Sequence, residues 1–499
     1  MDLVEFINSK TAKYADQTFM TGEGGEISYG EFGRVTDQLA RGFINLGMEP
    51  GDRIAVLHHN SPYVFEVYIG AIKAGAVAVP VNPAYTASEI THILEDSGAR
   101  LLLMHQDFVE RVKEIESPLP ALQKRMVRAD GQSLTDCLQA GGAGDLSGYA
   151  AQPADADTPA FTIYTSGTTG KPKGVVLTHR NLYFGGPNIA QSFGLRPGDV
   201  ALAVLPMVHI FCIASPFMGS LSSGGKVVVL KSFDSDAALE AIGQHQVTWL
   251  PGVPTMFSYL LNRLDYKKHD VSSLRMGLCG GAPMPDDVKR RWKENFGAEV
   301  IDAYGLTEST GLVTCDPVYG QTKPGSIGIV ASGVEAKIVG ESGEELGQGE
   351  VGNLVFRGPN RAAGYYNLPE VNQERIKDGW LYTGDHAYRD QDGFVFLVGR
   401  AQELIITAGY NVYPREIEEV LYAFEGVNEA AVIGAAHAHK GEIPLAYISA
   451  KPDTDLDQEE ILAFCRKHLA AYKIPRIKFL PELPKNPTGK ILKKELPRD

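Results

Sequence analysis

The chain has 499 residues and a net charge of −14, from 47 basic and 61 acidic side chains. That balance excludes non-specific nucleic-acid binding, which needs a basic face to release counterions. The 54 glycines and 29 prolines stay below the ~25–30% share of low-complexity chains, so about two to four folded domains are expected at this length.

The N-terminus, MDLVEFINSK, carries charges too early for a secretory signal. From about residue 52, short β-rich runs alternate with helical stretches. IAVL (54–57) precedes a helix near 62–74 and then AVAVPV. Further runs are VALAVL (200–205), VVVL (227–230), TWL (248–250) and LRMGLC (274–279), with helices at 235–245 and 285–295. This alternation predicts a doubly wound α/β architecture with parallel sheets. Residues 325–398 read as a small β-rich subdomain. No run reaches 18 apolar residues, and the nearest, Ile210 to Leu221, is broken by Ser215 and Pro216, so no spanning helix is expected. Beyond 398–403, strand, helix, two strands, helix and strand predict a small α+β domain. The basic tail LPKNPTGKILKKELPRD follows. Five scattered cysteines without a CxxC argue against a disulfide framework or zinc site and fit a reducing cytoplasm.

The strongest local motif is YTSGTTGKPKG, from Tyr164 to Gly174, between the runs FTIYT and VVLTH. Its glycines let backbone N–H groups approach a ligand, and its hydroxyls and two lysines add donors, which suits polyphosphate. It is not a Walker A sequence, because two residues rather than four separate Gly167 from Gly170 and Pro172 follows Lys171. A GxGxxG match at 347–352 is followed by a strand rather than a helix, so it is assigned to turns. Asp302-Ala303-Tyr304-Gly305-Leu306-Thr307-Glu308 groups a stacking aromatic, a glycine, a hydroxyl and a carboxylate able to hold Mg²⁺. In Tyr382-Thr383-Gly384-Asp385, the aspartate reads either as a turn former or as a ribose acceptor.

Together with GGAPM (280–284), GYYNLPE (364–370), WLYTGD (380–385), GRAQELIITAGYNVYPREIE (399–418) and NPTGKILK (486–493), these motifs resemble the adenylate-forming (ANL) superfamily, in its acyl-CoA synthetase and fatty-acid–CoA ligase branch. The resemblance covers almost the whole chain, in order. It implies an N-terminal adenylation domain (1–398), a hinge (399–403) and a mobile lid domain (404–499). It also implies activation of a carboxylic acid by ATP and Mg²⁺ through an acyl-adenylate, followed by transfer to CoA. In that reading Thr165, Ser166, Gly167, Thr168, Thr169, Gly170, Lys171 and Lys173 cradle the phosphates. Glu308 ligates the metal and Thr307 contacts the α-phosphate. Asp302 is counted among the cofactor-binding residues, and Tyr304 stacks on adenine, whose other face meets Gly281, Ala282 and Pro283. Asp385 accepts the ribose hydroxyls with Arg400 nearby, and Gly409 clears the path of the pantetheine arm. Lys490 is the tail lysine that serves the first half-reaction, while Lys493 and Lys494 read as solvated surface. His209 occupies the acyl-pocket histidine position, orienting the carboxylate or gating the tunnel. Gln402 departs from the charged residue usual at the hinge.

The apolar or small residues Ile210, Phe211, Ile213, Ala214, Gly305, Gly311 and Leu312 surround the expected acyl pocket. Alanine at 303 departs from the RYGMTE of malonate-specific relatives. The acid expected is a medium- or long-chain fatty acid, with an aryl or cyclic acid as the alternative. A luciferase-like oxygenase and a non-catalytic acyl- or nucleotide-binding relative are further readings; retention of Lys490, Glu308 and Asp385 argues against the second. A cytoplasmic monomer or homodimer, with peripheral membrane contact left open, completes the expectation.

Overall fold

A computed structural model describes residues 2–148, 154–165, 172–282, 284–400, 403–407, 410–437, 440–452, 454–486 and 489–498. Two large sheets form the first part of the chain. The seven-stranded sheet runs, from edge to edge, Gly364–Tyr365, Lys173–Thr178, Pro159–Thr165, Val77–Val81, Arg53–Leu57, Leu101–His105 and Lys124–Arg128. The nine-stranded sheet runs Ile329–Val330, Thr314–Cys315, Glu299–Tyr304, Met276–Cys279, Trp249–Gly252, Val200–Ala203, Lys226–Val229, Thr18–Gly22 and Gly25–Ser28. Val77–Val81 and Leu101–His105 are buried along their whole length, as expected of strands covered by helices on both faces.

The centres of both sheets are parallel, as the alternating pattern predicts, and so is the Lys124–Arg128 edge, but the other edges are antiparallel. Pro159–Thr165 and Lys173–Thr178 pair antiparallel, because the short connection between them leaves no length for a crossover. Glu299–Tyr304 and Thr314–Cys315 are likewise antiparallel. Helix starts follow local chemistry. Thr86 and Glu89 form a capping box ahead of Ala87–Ser97, as do Thr178 and Asn181 ahead of His179–Ser192.

The expected β-rich unit is less self-contained than its sequence suggests. Glu335–Val339, Gly352–Arg357, Trp380–Arg389, Ile376–Lys377 and Val395–Arg400 make an antiparallel five-stranded sheet. Ile329–Val330 and Gly364–Tyr365, however, complete the edges of the two large sheets. The last strand reaches Arg400, paired with Asp385, so residues 399 and 400 of the expected hinge segment belong to a sheet. The C-terminal part is a second five-stranded sheet: Tyr410–Val412, Ile405–Thr407, Gly441–Ala450 and Val427–His437, with Arg476–Phe479 parallel to Gly441–Ala450. Helices Pro414–Tyr422 and Gln458–His468 pack on it around their own core of Ile417, Leu421, Val432, Ile448 and Ile461.

Candidate active site

In open α/β sheets, ligands bind outside the carboxyl ends of the strands where strand order reverses. In the nine-stranded sheet the chain passes from Val200–Ala203 to Lys226–Val229 on one side and then to Trp249–Gly252 on the other. The segments expected to carry chemistry follow these strands: His209 after Val200–Ala203, Gly281 and Ala282 after Met276–Cys279, and Tyr304 to Glu308 at the end of Glu299–Tyr304. The hairpin strand Lys173–Thr178 packs against the 307–309 turn. Asp385 arrives from the small antiparallel sheet, and Lys490 from the tail.

Tyr304, Asp385, Arg400 and Lys490 form the centre. The Tyr304 hydroxyl donates to Asp385 Oδ2 at 2.6 Å, and Arg400 Nε stands 3.5 Å from Oδ1. Burial, reinforced by the Asp385 charge, raises the Tyr304 phenol well above its ordinary value, so it stays a donor. Each carboxylate oxygen has two lone pairs, which leaves Asp385 able to accept further hydroxyls. Lys490 retains accessible surface but is densely surrounded in the cleft between the domains. Burial, then Arg400, lowers its pKa to about 8, against the pull of Asp385 and Glu403. A tight turn presents it. Gly489 adopts φ +82, and Asn486 Oδ1 accepts from the Lys490 amide at 2.9 Å. Thr255 Oγ1, of the large domain, donates to the Gly489 carbonyl at 3.0 Å.

Glu308 lies in a 3₁₀ turn, Thr307–Ser309. Its Oε1 accepts from the Tyr365 hydroxyl at 2.6 Å, while Oε2 takes no hydrogen bond among the described residues. One fixed and one open carboxylate oxygen fit a hard, oxygen-seeking cation such as Mg²⁺. Segment 362–366 ties this turn to the phosphate hairpin: Ala362 N donates to the Glu308 carbonyl at 2.8 Å and Tyr366 N to the Gly174 carbonyl at 2.7 Å. Gly305 has a reason beyond ligand access. A Cβ there would sit 2.1 Å from the Gly311 carbonyl oxygen, so the turn itself excludes a side chain.

The hairpin strands Pro159–Thr165 and Lys173–Thr178 bring Thr165 opposite Lys173. Helix Ala87–Ser97 braces them: Tyr164 donates to Asp96 Oδ2 at 2.6 Å, and His92 Nε2 lies 3.0 Å from the Pro172 carbonyl. Ser166, Gly167, Thr168, Thr169, Gly170 and Lys171 lie outside the described residues, as do Pro283, Gln402 and Gly409. Ile406 and Tyr410, which flank the 408–409 loop, are 52% and 56% exposed.

Asp302, placed by the resemblance among the cofactor-binding residues, pairs through Oδ2 with Lys289 at 3.0 Å, and the same ammonium reaches Asp316 at 2.8 Å. Burial pushes Asp302 up to about 6, with Lys289 opposing the shift. Lys493 is not solvated surface. Its ammonium lies 2.7 Å from Glu418 and 3.2 Å from Glu403, pinning the tail to the lid domain. Lys494 is exposed as expected.

His209 is neutral, burial lowering its pKa to about 4, and its buried Nε2 has no partner among the described residues. A buried, unpartnered ring nitrogen of low basicity suits a gate or a carboxylate contact better than proton transfer. The wall behind it contains a π-helical turn, Ile213–Gly219, of the kind often found at functional sites. Phe217 of this turn stacks on Phe65 with ring centroids 3.5 Å apart. A Cβ on Gly280 would come within 3.1 Å of the Phe211 ring. Tyr365 and Thr255 were not singled out as ligand-site residues by the motifs. GYYNLPE marked the region of Tyr365, but nothing local says that its hydroxyl reaches Glu308.

Residues 7–366 match the AMP-binding enzyme family and residues 416–490 the AMP-binding enzyme C-terminal domain. The chain is 35% identical over 481 residues to a feruloyl-CoA synthase of Amycolatopsis sp., covering 95% of this chain and 94% of that protein. It is 32% identical over 530 residues to a long-chain-fatty-acid–CoA ligase of Salmonella typhimurium, covering 99% and 94%. The crystal structure of ATP-bound MatB from Rhodopseudomonas palustris superposes with a TM-score of 0.90 at 31% identity, covering 99% of this chain and 98% of that one. With its adenylate-site segments, two-part architecture and tail lysine, the chain belongs to the adenylate-forming AMP-binding enzymes as an AMP-forming acyl- or aryl-CoA ligase that uses ATP, Mg²⁺ and CoA.

Proposed function

We propose that this ligase activates an apolar monocarboxylic acid, and that Lys490, Asp385, Tyr304, Glu308 and the 165–173 loop carry the first half-reaction. A carboxylate oxygen attacks the α-phosphorus of ATP and the bond to pyrophosphate breaks. The CoA sulfur then attacks the acyl carbon, its proton passes to solvent, and AMP leaves. Because the first step joins two anions, fixed positive charge is the main requirement. Lys490 supplies a mobile ammonium beside the ribose acceptor Asp385. Thr165, Lys173 and the loop between them hold the outer phosphates, and Thr307 contacts the α-phosphate. Glu308, oriented by Tyr365, would hold Mg²⁺, which supplies charge neutralisation on the phosphates. Tyr304 flanks adenine on one side, Gly281 and Ala282 on the other.

The observation that carries the choice of acid is the apolar acyl wall. Ile213, Ala214, Phe217, Leu278 and Cys279 are each no more than 1% exposed, and Ala303 offers no cation for a second carboxylate. Phe211 and Leu306 remain partly exposed at its mouth. A sealed wall with a phenyl ring at the entrance favours a compact, flat acyl group, so an aryl or arylpropenoate acid is the first reading. The feruloyl-CoA relatives support it. A medium- or long-chain fatty acid is the second, supported by the long-chain relatives and requiring the wall to open. Pyrophosphate release across benzoates, hydroxycinnamates, fatty acids of increasing length and dicarboxylates, with and without CoA, separates them. Aryl acids are expected to give the highest kcat/KM. A maximum on a fatty acid reverses the order, and a maximum on a dicarboxylate contradicts both.

A further inference from the structure

The seven-stranded sheet has a switch point of its own. From Arg53–Leu57 the chain moves to Val77–Val81 on one side and then returns to Leu101–His105 on the other. The crevice rule therefore also points to the carboxyl ends of Arg53–Leu57 and Leu101–His105. The ATP- and acid-binding reading makes no use of the residues gathered there. His58 and His59 follow the first of these strands, His105 ends the second, and Asp107 and Asp130 lie just beyond the ends of their strands.

We propose that His59 Nε2, His105 Nδ1 and Asp107 Oδ2 form a binding site for one divalent cation of the zinc class, with water completing its coordination. The three atoms lie within 4.8 Å of one another. His59 Nε2 is 2.9 Å and His105 Nδ1 3.3 Å from Asp107 Oδ2. Ligands about 2.0–2.1 Å from a tetrahedral zinc are roughly 3.3 Å apart, which the two carboxylate-to-imidazole distances approach.

Proton placement at His105 supports the same arrangement, while His59 Nε2 gives up its hydrogen bond to Asp107 Oδ2 to ligate. The Asp107 amide donates to His105 Nδ1 across 3.3 Å, so Nδ1 carries a lone pair and the ring proton resides on Nε2. Nε2 then donates to Asp130 Oδ1 at 3.0 Å. A carboxylate behind the ring is the usual partner of a metal-bound histidine, fixing its tautomer and raising its basicity. The Nδ1 lone pair therefore sits 3.3 Å from a carboxylate oxygen, two acceptors facing each other. A cation between them relieves that repulsion and displaces the long amide contact.

The positive groups around the site leave it open. Arg128 is committed to Glu23 at 3.0 Å, to His58 Nε2 at 3.1 Å and to the face of Tyr63. Lys231 lies 3.8 Å from Asp107 Oδ2, but its side chain is 66% exposed and can swing away. Asp107 is 43% exposed, giving entry from solvent. Two imidazoles and one carboxylate select zinc, cobalt or nickel over Mg²⁺, which prefers all-oxygen sites. The scattered cysteines have no bearing on such a site.

Titrating the full-length chain with Co²⁺ after chelator dialysis, read by the visible absorption of the bound ion, tests the proposal. One equivalent is expected, displaceable by Zn²⁺. His105 is buried, so the decisive variants are on the exposed rim: His59→Gln and Asp107→Asn should each weaken binding at least ~10-fold, and Asp130→Asn by about 10- to 100-fold. Lys231→Ala should tighten it. Pyrophosphate release with Mg-ATP should survive His59→Gln unchanged, separating this site from the adenylate site. Absence of a stoichiometric Co²⁺ complex, or an unaltered affinity in the His59→Gln/Asp107→Asn double variant, would overturn the proposal.

Discussion

The ammonium of Lys490 feels burial first and the Arg400 guanidinium second. Both lower its pKa, to about 8, against Asp385 and Glu403. The protonated form is the one that can offset phosphate charge, so the first half-reaction should be supported below that pH and fade above it. We expect log kcat/KM for pyrophosphate release, which reports the free enzyme, to fall with unit slope above about pH 8. Bound ATP adds negative charge, so the limb in kcat should lie higher. Lys490→Arg should retain a charge without that limb, since guanidinium does not titrate there. A wild-type profile flat through and well above this pH would contradict the assignment. At Glu308 the prediction concerns metal demand. Tyr365→Phe deletes the hydroxyl that holds Oε1, and a freer carboxylate should need more Mg²⁺. An increase of about 10-fold in half-saturating Mg²⁺, with the KM for the acid unchanged, is expected from a lost orienting partner. Most of these residues were legible as motif positions. Tyr365 and the pairing of Asp302 with Lys289 were not, because each depends on a partner 57 or 13 positions away that local pattern does not register.

Elements were legible where period and burial agree, as in the apolar runs IAVL and AVAVPV that become the strands Arg53–Leu57 and Val77–Val81. Sheet edges were not. Whether a strand pairs parallel or antiparallel depends on the connection it must make, and the hairpin at 159–178 turns too tightly for a crossover. Loop-to-loop contacts were equally hidden. Asn60, in the loop after Arg53–Leu57, donates to the Leu205 carbonyl and accepts from the Met207 amide, both at 2.9 Å. These bonds pin the start of the segment that carries His209. Asn60→Ala leaves two buried backbone groups unpaired, at about 1–3 kcal/mol each. It should raise the KM for the carboxylic acid several-fold while sparing the KM for ATP. Separate saturation curves for the two substrates check this; a rise confined to ATP would place Asn60 elsewhere in the account.

At the scale of the molecule, the tail and lid domain are docked so that Lys490 faces Asp385, while the segments flanking residue 409 face solvent. Among the described residues, polar contacts make the docking. Lys485 links Tyr259 of the large domain, at 2.7 Å, to Glu482 and Glu429 of the lid, and Thr255 holds the Gly489 carbonyl. Such an interface would suit the rotation that the resemblance implies. Tyr259→Phe removes only a hydroxyl, worth about 1 kcal/mol, so a several-fold loss in adenylate formation with thioester formation spared is expected from the two half-reactions measured separately. Gly409→Leu should do the reverse, blocking thioester formation while a single turnover still releases pyrophosphate. The two-domain division was legible from motif order. Lys493 was misread, because a run of basic residues in a tail looks solvated until Glu403 and Glu418 are seen beside it.

The division of labour between the domains rests on Lys490, and the two half-reactions of Lys490→Ala measure it most directly. Pyrophosphate release from ATP and acid should fall by at least about 100- to 1,000-fold, as on loss of one preorganised donor, while CoA transfer from supplied acyl-adenylate stays near wild type. Equal loss in both half-reactions, or none in the first, would contradict the account.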